Sequence, residues 1–164
     1  MEAAEFDDFY TASYPRVVNQ VHAMIGDREE ARDCVQEAFV KAWSRRRQLD
    51  SSGSPEAWVR VTADRLAVSR WRRTSLSRRT PDRALQPAGP TPPADESRVA
   101  LVTALQQLPE DQRRALVLHH LCDLPVAEVA AEVGTPVGTV KARLSRGRTA
   151  LQSLLSSTEG VRHV

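Results

Sequence analysis

A chain of 164 residues with 41% hydrophobic and 27% charged residues has a globular composition, and its length suits one ordinary domain or two small ones. The apolar stretch Val99 to Val102 falls far short of the roughly 20 residues that span a bilayer. The acidic start (Glu2, Glu5, Asp7, Asp8) is the opposite of a secretory signal, so a cytoplasmic protein without membrane insertion is expected.

The formal net charge of +2 says little, but the charges are sorted along the chain. Acidic residues gather at the N-terminus and in Asp27, Glu29, Glu30, Asp33 and Glu37. Between Asp27 and Trp43, the residues Ala31, Val35, Ala38, Phe39, Ala42 and Trp43 recur at three- and four-residue steps, which predicts an amphipathic helix. Asp33, Gln36, Glu37 and Val40 fall off that apolar stripe. Arg45 to Arg47 follow as a basic block.

Ser54-Pro55-Glu56 reads as a helix start: a capping hydroxyl, a proline at the first helical position and a carboxylate near the positive end. The helix runs through Trp58 toward Arg73. Arg60, Arg65, Arg70, Arg72, Arg73, Arg78 and Arg79 have only Asp64 among them, and Leu66, Val68 and Trp71 are interleaved. The rings of Trp58 and Trp71 read as core, while arginines beside aromatics also suit exposed bases, which stack on a π-face as cations hold the backbone.

From Thr80 to Ala94 five prolines and Gly89 stand among few apolar side chains, the composition of a flexible linker. The predicted organisation is therefore all-α: a helical domain over 1–79, a linker over 80–97, a second helical domain over 98–157 and a tail over 158–164. Each domain is near the lower size limit for independent folding and must rely on compact helix packing.

In the second domain Leu101, Leu105 and Leu108 share a helix face before Pro109 forces a new start, and Ala115, Leu116, Leu118 and Leu121 belong to the next helix. Val126, Val129, Ala130 and Val133 make a short helix that stops at Gly134. Thr135-Pro136 then reads as cap and first residue of a last helix, to about Leu154, which completes a helix-turn-helix. That last helix sets Val140, Leu144, Gly147 and Leu151 on one side and Thr139, Ala142, Arg143 and Arg146 on the other, flanked by Lys141 and Arg148. Small residues near its start (Gly138, Thr139, Ala142) permit close approach to a major groove while the cations reach phosphates or guanine edges. It holds no acid from Pro136 to Ser157, whereas a merely solvated helix mixes signs.

Catalytic readings fail. Gly134 to Lys141 has the wrong glycine spacing for a phosphate loop and no adjacent Lys-Ser/Thr pair. His119 and His120 are helix neighbours and should diverge rather than share a metal. Cys34 and Cys122 stand far apart without ligand spacing, so buried thiols are expected, with no metal and no cofactor.

In this order the features resemble the extracytoplasmic-function group of the sigma-70 family. Asp33-Cys-Val-Gln36-Glu37-Ala-Phe39-Val-Lys-Ala-Trp43 is similar to the family's core-polymerase-binding helix. Leu108-Pro109-Glu-Asp-Gln112-Arg113, with Val129-Ala130, Gly134 and Val137 through Arg148, is similar to its fourth region. The resemblance implies a non-enzymatic factor that directs promoter-specific transcription initiation by bacterial RNA polymerase. Asp33, Gln36, Glu37 and Val40 would dock on the clamp helices of the largest polymerase subunit, with a further contact to the flap of the second-largest. Gly138, Thr139, Lys141, Arg143, Arg146 and Arg148 would read the -35 element. Arg60, Arg65, Arg70, Arg72 and Arg73 would engage the -10 element, with the loop Gln48 to Gly53 capturing a flipped base.

Family analogy also implies an anti-sigma protein as regulator. Arg65 and Ser69 replace the family's frequent Asn and Asp, so its -10 base preference does not carry over. Asp123 stands at a usual glycine and Pro125 at a usual helix-capping Ser or Thr. The rival reading is a stand-alone helix-turn-helix regulator with an N-terminal dimerisation or sensing module. It explains the second domain equally well, but not the acidic helix joined to an arginine-rich one.

Overall fold

The computed structural model describes residues 1–51, 53–77 and 96–162, and these form helices and turns with no strand among them. They fall into two compact units, one on each side of the proline-rich stretch. Of the expected linker, residues 80–95 lie outside the described residues, as do Arg78 and Arg79. Glu96 and Ser97, also assigned to the linker, open a helix instead.

The first unit packs three long helices, α1 (Ala3–Ile25), α2 (Arg28–Ser44) and α4 (Pro55–Ser77), with one short turn, α3 (Arg46–Leu49). Gly26, at φ 81°, ends α1, and Asp27 caps α2 by accepting from the Glu30 N–H at 3.1 Å. Ala31, Ala38 and Ala42 on α2 and Ala63 and Ala67 on α4 are all buried, so small side chains line the seam and the helices approach closely. At the other side of α2, Phe39 meets Phe6, Phe9, Tyr10 and Tyr14 of α1 through edge-on and tilted ring contacts.

Ser54 caps α4 as its sequence predicts, its hydroxyl accepting from the Ala57 N–H at 3.2 Å. Trp58 packs against the core, but Trp71 does not: it is 68% exposed. The core expectation fails there because the buried apolar stripe described on α4 stops at Ala67, and the side chain next to Trp71 that turns to α2 is Arg70, which meets Glu30 and Glu37.

The second unit contains α5 (Glu96–Gln106), α6 (Glu110–Leu116), α7 (Val126–Val133) and α8 (Val137–Arg162), with α8 packed on the other three. Leu105, Leu108, Leu116, Leu118, Val129 and Leu144 are buried, while Leu121 is left 40% exposed. A widened π-type turn, Val117–Leu121, follows α6, and the Cys122 N–H donates to the Val117 carbonyl across five residues. Adjacent residues rotate less in such a turn than in an α-helix. The rings of His119 and His120, expected to diverge, therefore meet edge-on with centroids 4.8 Å apart. Asp123 takes the left-handed backbone (φ 55°), and Pro125 caps the start of α7. α8 continues beyond the expected end at Leu154 to Arg162, so part of the expected tail is helical.

Candidate nucleic-acid interface

The helix-turn-helix of the second unit turns at Gly134, whose φ of 71° favours a residue without a side chain. The next helix starts one residue later than the sequence suggests. The Pro136 carbonyl accepts from Val140 N–H at 3.2 Å, which makes Pro136 the cap and Val137 the first helical residue. Pro109 and Pro125 cap α6 and α7 in the same way, with extended ψ values of 144° and 152°. The Thr135 hydroxyl, expected as the cap, is buried without a hydrogen-bond partner among the described residues.

Val140, Leu144 and Gly147 turn α8 inward. Gly138, Thr139, Lys141, Arg146 and Arg148 are exposed, with Ala142 half-buried between them. A Cβ on Gly138 would meet nothing within 4 Å, so packing inside the protein does not require its small size. Arg143 leans toward α6, where its Nε lies 3.4 Å from Asp111 Oδ2, and part of its charge is already matched. His120 sits on the neighbouring π-type turn. Desolvation, then His119 and Arg148, hold its pKa below the ordinary histidine value, so it adds no positive charge at neutral pH.

On α4 the five arginines expected to face DNA separate into two groups. Arg65, Arg72 and Arg73 are exposed, and positions 65, 72 and 73 fall on one face of the helix. Arg60 is 4% exposed and partnered within the protein, so it cannot offer its charge outward. Arg70 turns back to α2, its Nη1 3.4 Å from Glu30 Oε1 and its Nη2 on Glu37 Oε2. In sequence Arg70 looks like a surface cation because the acids that hold it are 33 and 40 residues away.

The outer face of α2 carries Asp33 and Gln36, both exposed, and Val40, 62% exposed. Gln36 Oε1 accepts from the Tyr10 hydroxyl at 3.2 Å. Glu37 is divided between this face and Arg70. Trp43, counted with the apolar stripe, is 41% exposed; one edge meets Phe6 and Arg46 stacks on its face at 4.1 Å. A cleft of about 300 Å³ opens beside it, lined by Ser44 to Gln48. Among the described residues the first unit thus offers an acidic and apolar helix face and, on another helix, a basic one.

Two family models match the chain in order: sigma-70 region 2 over residues 9–76 and sigma-70 region 4 over residues 98–151. The RNA polymerase sigma-H factor of Pseudomonas aeruginosa is 31% identical over 155 residues, covering 85% of this chain and 80% of that protein. The ECF RNA polymerase sigma factor SigW of Bacillus subtilis is 27% identical over 170 residues, covering 92% and 88%. Among solved structures, the sigma factor RpoE in complex with the anti-sigma factor NepR from Bartonella quintana has a similar fold. Its TM-score is 0.70 at 24% identity, over 93% of this chain and 97% of that one. No described helix is long and apolar enough to cross a membrane.

Proposed function

This chain belongs to the extracytoplasmic-function group of the sigma-70 family, and from that premise we propose which of its surfaces carry out each step of promoter-directed transcription initiation. It is an RNA polymerase sigma factor: it binds core polymerase and promoter DNA, and polymerase performs the chemistry. Acting there, it works in the cytoplasm. The rival reading, a stand-alone regulator, leaves the match of the first unit to sigma region 2 without a purpose.

The observation that carries the assignment of surfaces is the separation of charge between α2 and α8. Asp33, Gln36 and Val40, with Glu37 beside them, form an acidic face with an apolar centre, suited to the clamp helices of the largest polymerase subunit. Gly138, Thr139, Lys141, Arg146 and Arg148, joined by Arg143 when it leaves Asp111, face the major groove of the -35 element. Arg65, Arg72 and Arg73 hold the backbone of the -10 element, with Trp71 available to stack on an unpaired base. The second unit also contacts the polymerase flap, and an anti-sigma protein masks these surfaces when the factor is idle.

Each half makes few phosphate contacts, so tethering on polymerase supplies the effective concentration that promoter binding needs. If about six phosphates are neutralised, holoenzyme affinity falls on the order of a thousandfold between 50 and 200 mM salt. The test is co-purification with bacterial core polymerase, comparing the intact chain with Asp33→Arg/Glu37→Arg and with Val40→Asp, followed by run-off transcription. Stoichiometric binding lost in the variants, with promoter-dependent transcripts from the parent, supports the reading. A folded parent chain that ignores core polymerase yet binds a specific duplex alone would overturn it.

A further inference from the structure

Arg70 stands just past the buried apolar stripe described on α4. Ala67 is the last buried apolar residue of that helix among the described residues, and Trp71, Arg72 and Arg73 beyond it are exposed. Between them, Arg70 spreads its two terminal nitrogens over two carboxylates about two helical turns apart on α2, Glu30 and Glu37. Glu30 is itself held, since its Oε1 also faces the Cys34 thiol at 3.6 Å in the buried seam. A planar guanidinium grips two acceptors in fixed directions, which a point charge does not.

We propose that Arg70 is a positioning residue rather than a promoter contact: by clasping Glu30 and Glu37 it ties the C-terminal part of α4 to α2, and so aims Arg72 and Arg73 at the DNA. The proposal rests on the reading above for the identity of that DNA. The clasp itself belongs to the chain alone. Beyond the clasp Trp71, Arg72 and Arg73 are exposed, and helix segments with few buried contacts open readily.

Contact and positioning give opposite signatures. Removing a cation that touches phosphate lowers the slope of log affinity against log salt, by about 0.7 per contact for a single strand. Removing a cation that only holds the helix weakens binding and leaves the slope unchanged. Glu30→Gln sharpens the contrast: simple electrostatics makes it bind DNA more tightly, whereas loss of positioning weakens it.

The experiment has two arms. In the free full-length chain, hydrogen exchange is followed at amides 71–77 in the parent, Arg70→Gln and Glu30→Gln. Exchange at least about tenfold faster there in both variants, with amides 34–42 still protected, is the expected result. In holoenzyme, binding of a -10 single-strand oligonucleotide is measured across a salt series. Arg70→Gln should lose about tenfold and Glu30→Gln about threefold at constant slope, while Arg72→Gln lowers the slope by about 0.7.

Unchanged exchange at 71–77, or a slope reduced by Arg70→Gln, overturns the proposal. If Arg70→Gln unfolds the first unit, Arg70→Lys decides the matter: it keeps the charge and loses the fork, and parent-like exchange and affinity in that variant would equally refute positioning. A parent holoenzyme with no affinity for the oligonucleotide would refute the promoter reading, while the exchange arm still decides the role of Arg70.

Discussion

Gly147 on α8 lies so close to Leu116 on α6 that a Cβ there would stand 2.9 Å from Leu116 Cδ1 and 3.2 Å from its Cγ. Leu116 is buried and has little room to retreat. Overpacking costs about 1–3 kcal/mol, and replacing a helical glycine by alanine returns up to about 1 kcal/mol. Gly147→Ala should therefore lower stability by about 1 kcal/mol and Gly147→Val by more, read from thermal unfolding. An alanine variant as stable as the parent would show that Leu116 gives way freely.

Gly138, about two and a half turns earlier on the same helix, has open space around it, so the opposite pattern is expected. Gly138→Leu should leave the melting temperature unchanged or slightly raised, since leucine favours a helix by up to about 1 kcal/mol over glycine. Its bulk would stand in the groove and weaken -35 binding by about 1–3 kcal/mol, the size of a mismatched base pair. Parent-like affinity for a -35 duplex in holoenzyme would remove Gly138 from the interface.

The Arg143–Asp111 pair predicts a gain of binding. Asp111 is largely exposed, so Asp111→Asn should change stability by less than about 1 kcal/mol. It releases Arg143 toward the DNA, and the salt dependence of -35 duplex binding should steepen by about 0.9. Titrating holoenzyme with a -35 duplex at several salt concentrations tests this. A slope equal to the parent's would mean that Arg143 stays with α6 or never reaches phosphate.

Burial pushes the Cys34 thiol from the ordinary 9.0 up to about 12, with Glu30 and Glu37 adding to the rise against the opposing charge of Arg70. The folded state thus prefers the neutral thiol. Its contribution to stability is fully present below about pH 9 and is lost as pH rises toward 12. At pH 8 the thiol should ignore a disulfide reagent until the chain unfolds, whereas the half-buried Cys122 reacts sooner. Counting fast and slow thiols before and after adding denaturant checks this, and two fast thiols in the folded chain would contradict it.

Local signals were readable in the sequence where backbone geometry or a sustained period produced them. Gly134, the prolines before α6, α7 and α8, and the Ser54 cap marked helix ends because each restricts or serves the backbone directly. The inner faces of α2 and α8 followed from periodicity. α1 was not expected as a separate element, although Phe6, Tyr10, Val17, Val21 and Met24 repeat at helical steps on either side of Pro15.

What depended on distant residues stayed hidden. Nothing near Arg70 announces Glu30 or Glu37, nothing near Arg60 announces its burial, and nothing near Trp71 announces its exposure. The π-type turn was equally invisible, since one extra residue per turn leaves no mark on composition. These are tertiary outcomes, and they decide which arginines remain available to DNA.

Asp123 is the one residue other than glycine with a left-handed backbone among the described residues. Aspartate tolerates that conformation better than most side chains, but glycine holds it without steric cost. The turn before α7 therefore keeps a small reserve, of the order of 0.5–1 kcal/mol, reachable by a single substitution. A lineage that altered the first turn of α8 to read a different promoter could offset the resulting loss of packing at Asp123, outside the groove-facing surface. The least favourable backbone position in the helix-turn-helix unit is in this sense also a source of its evolvability.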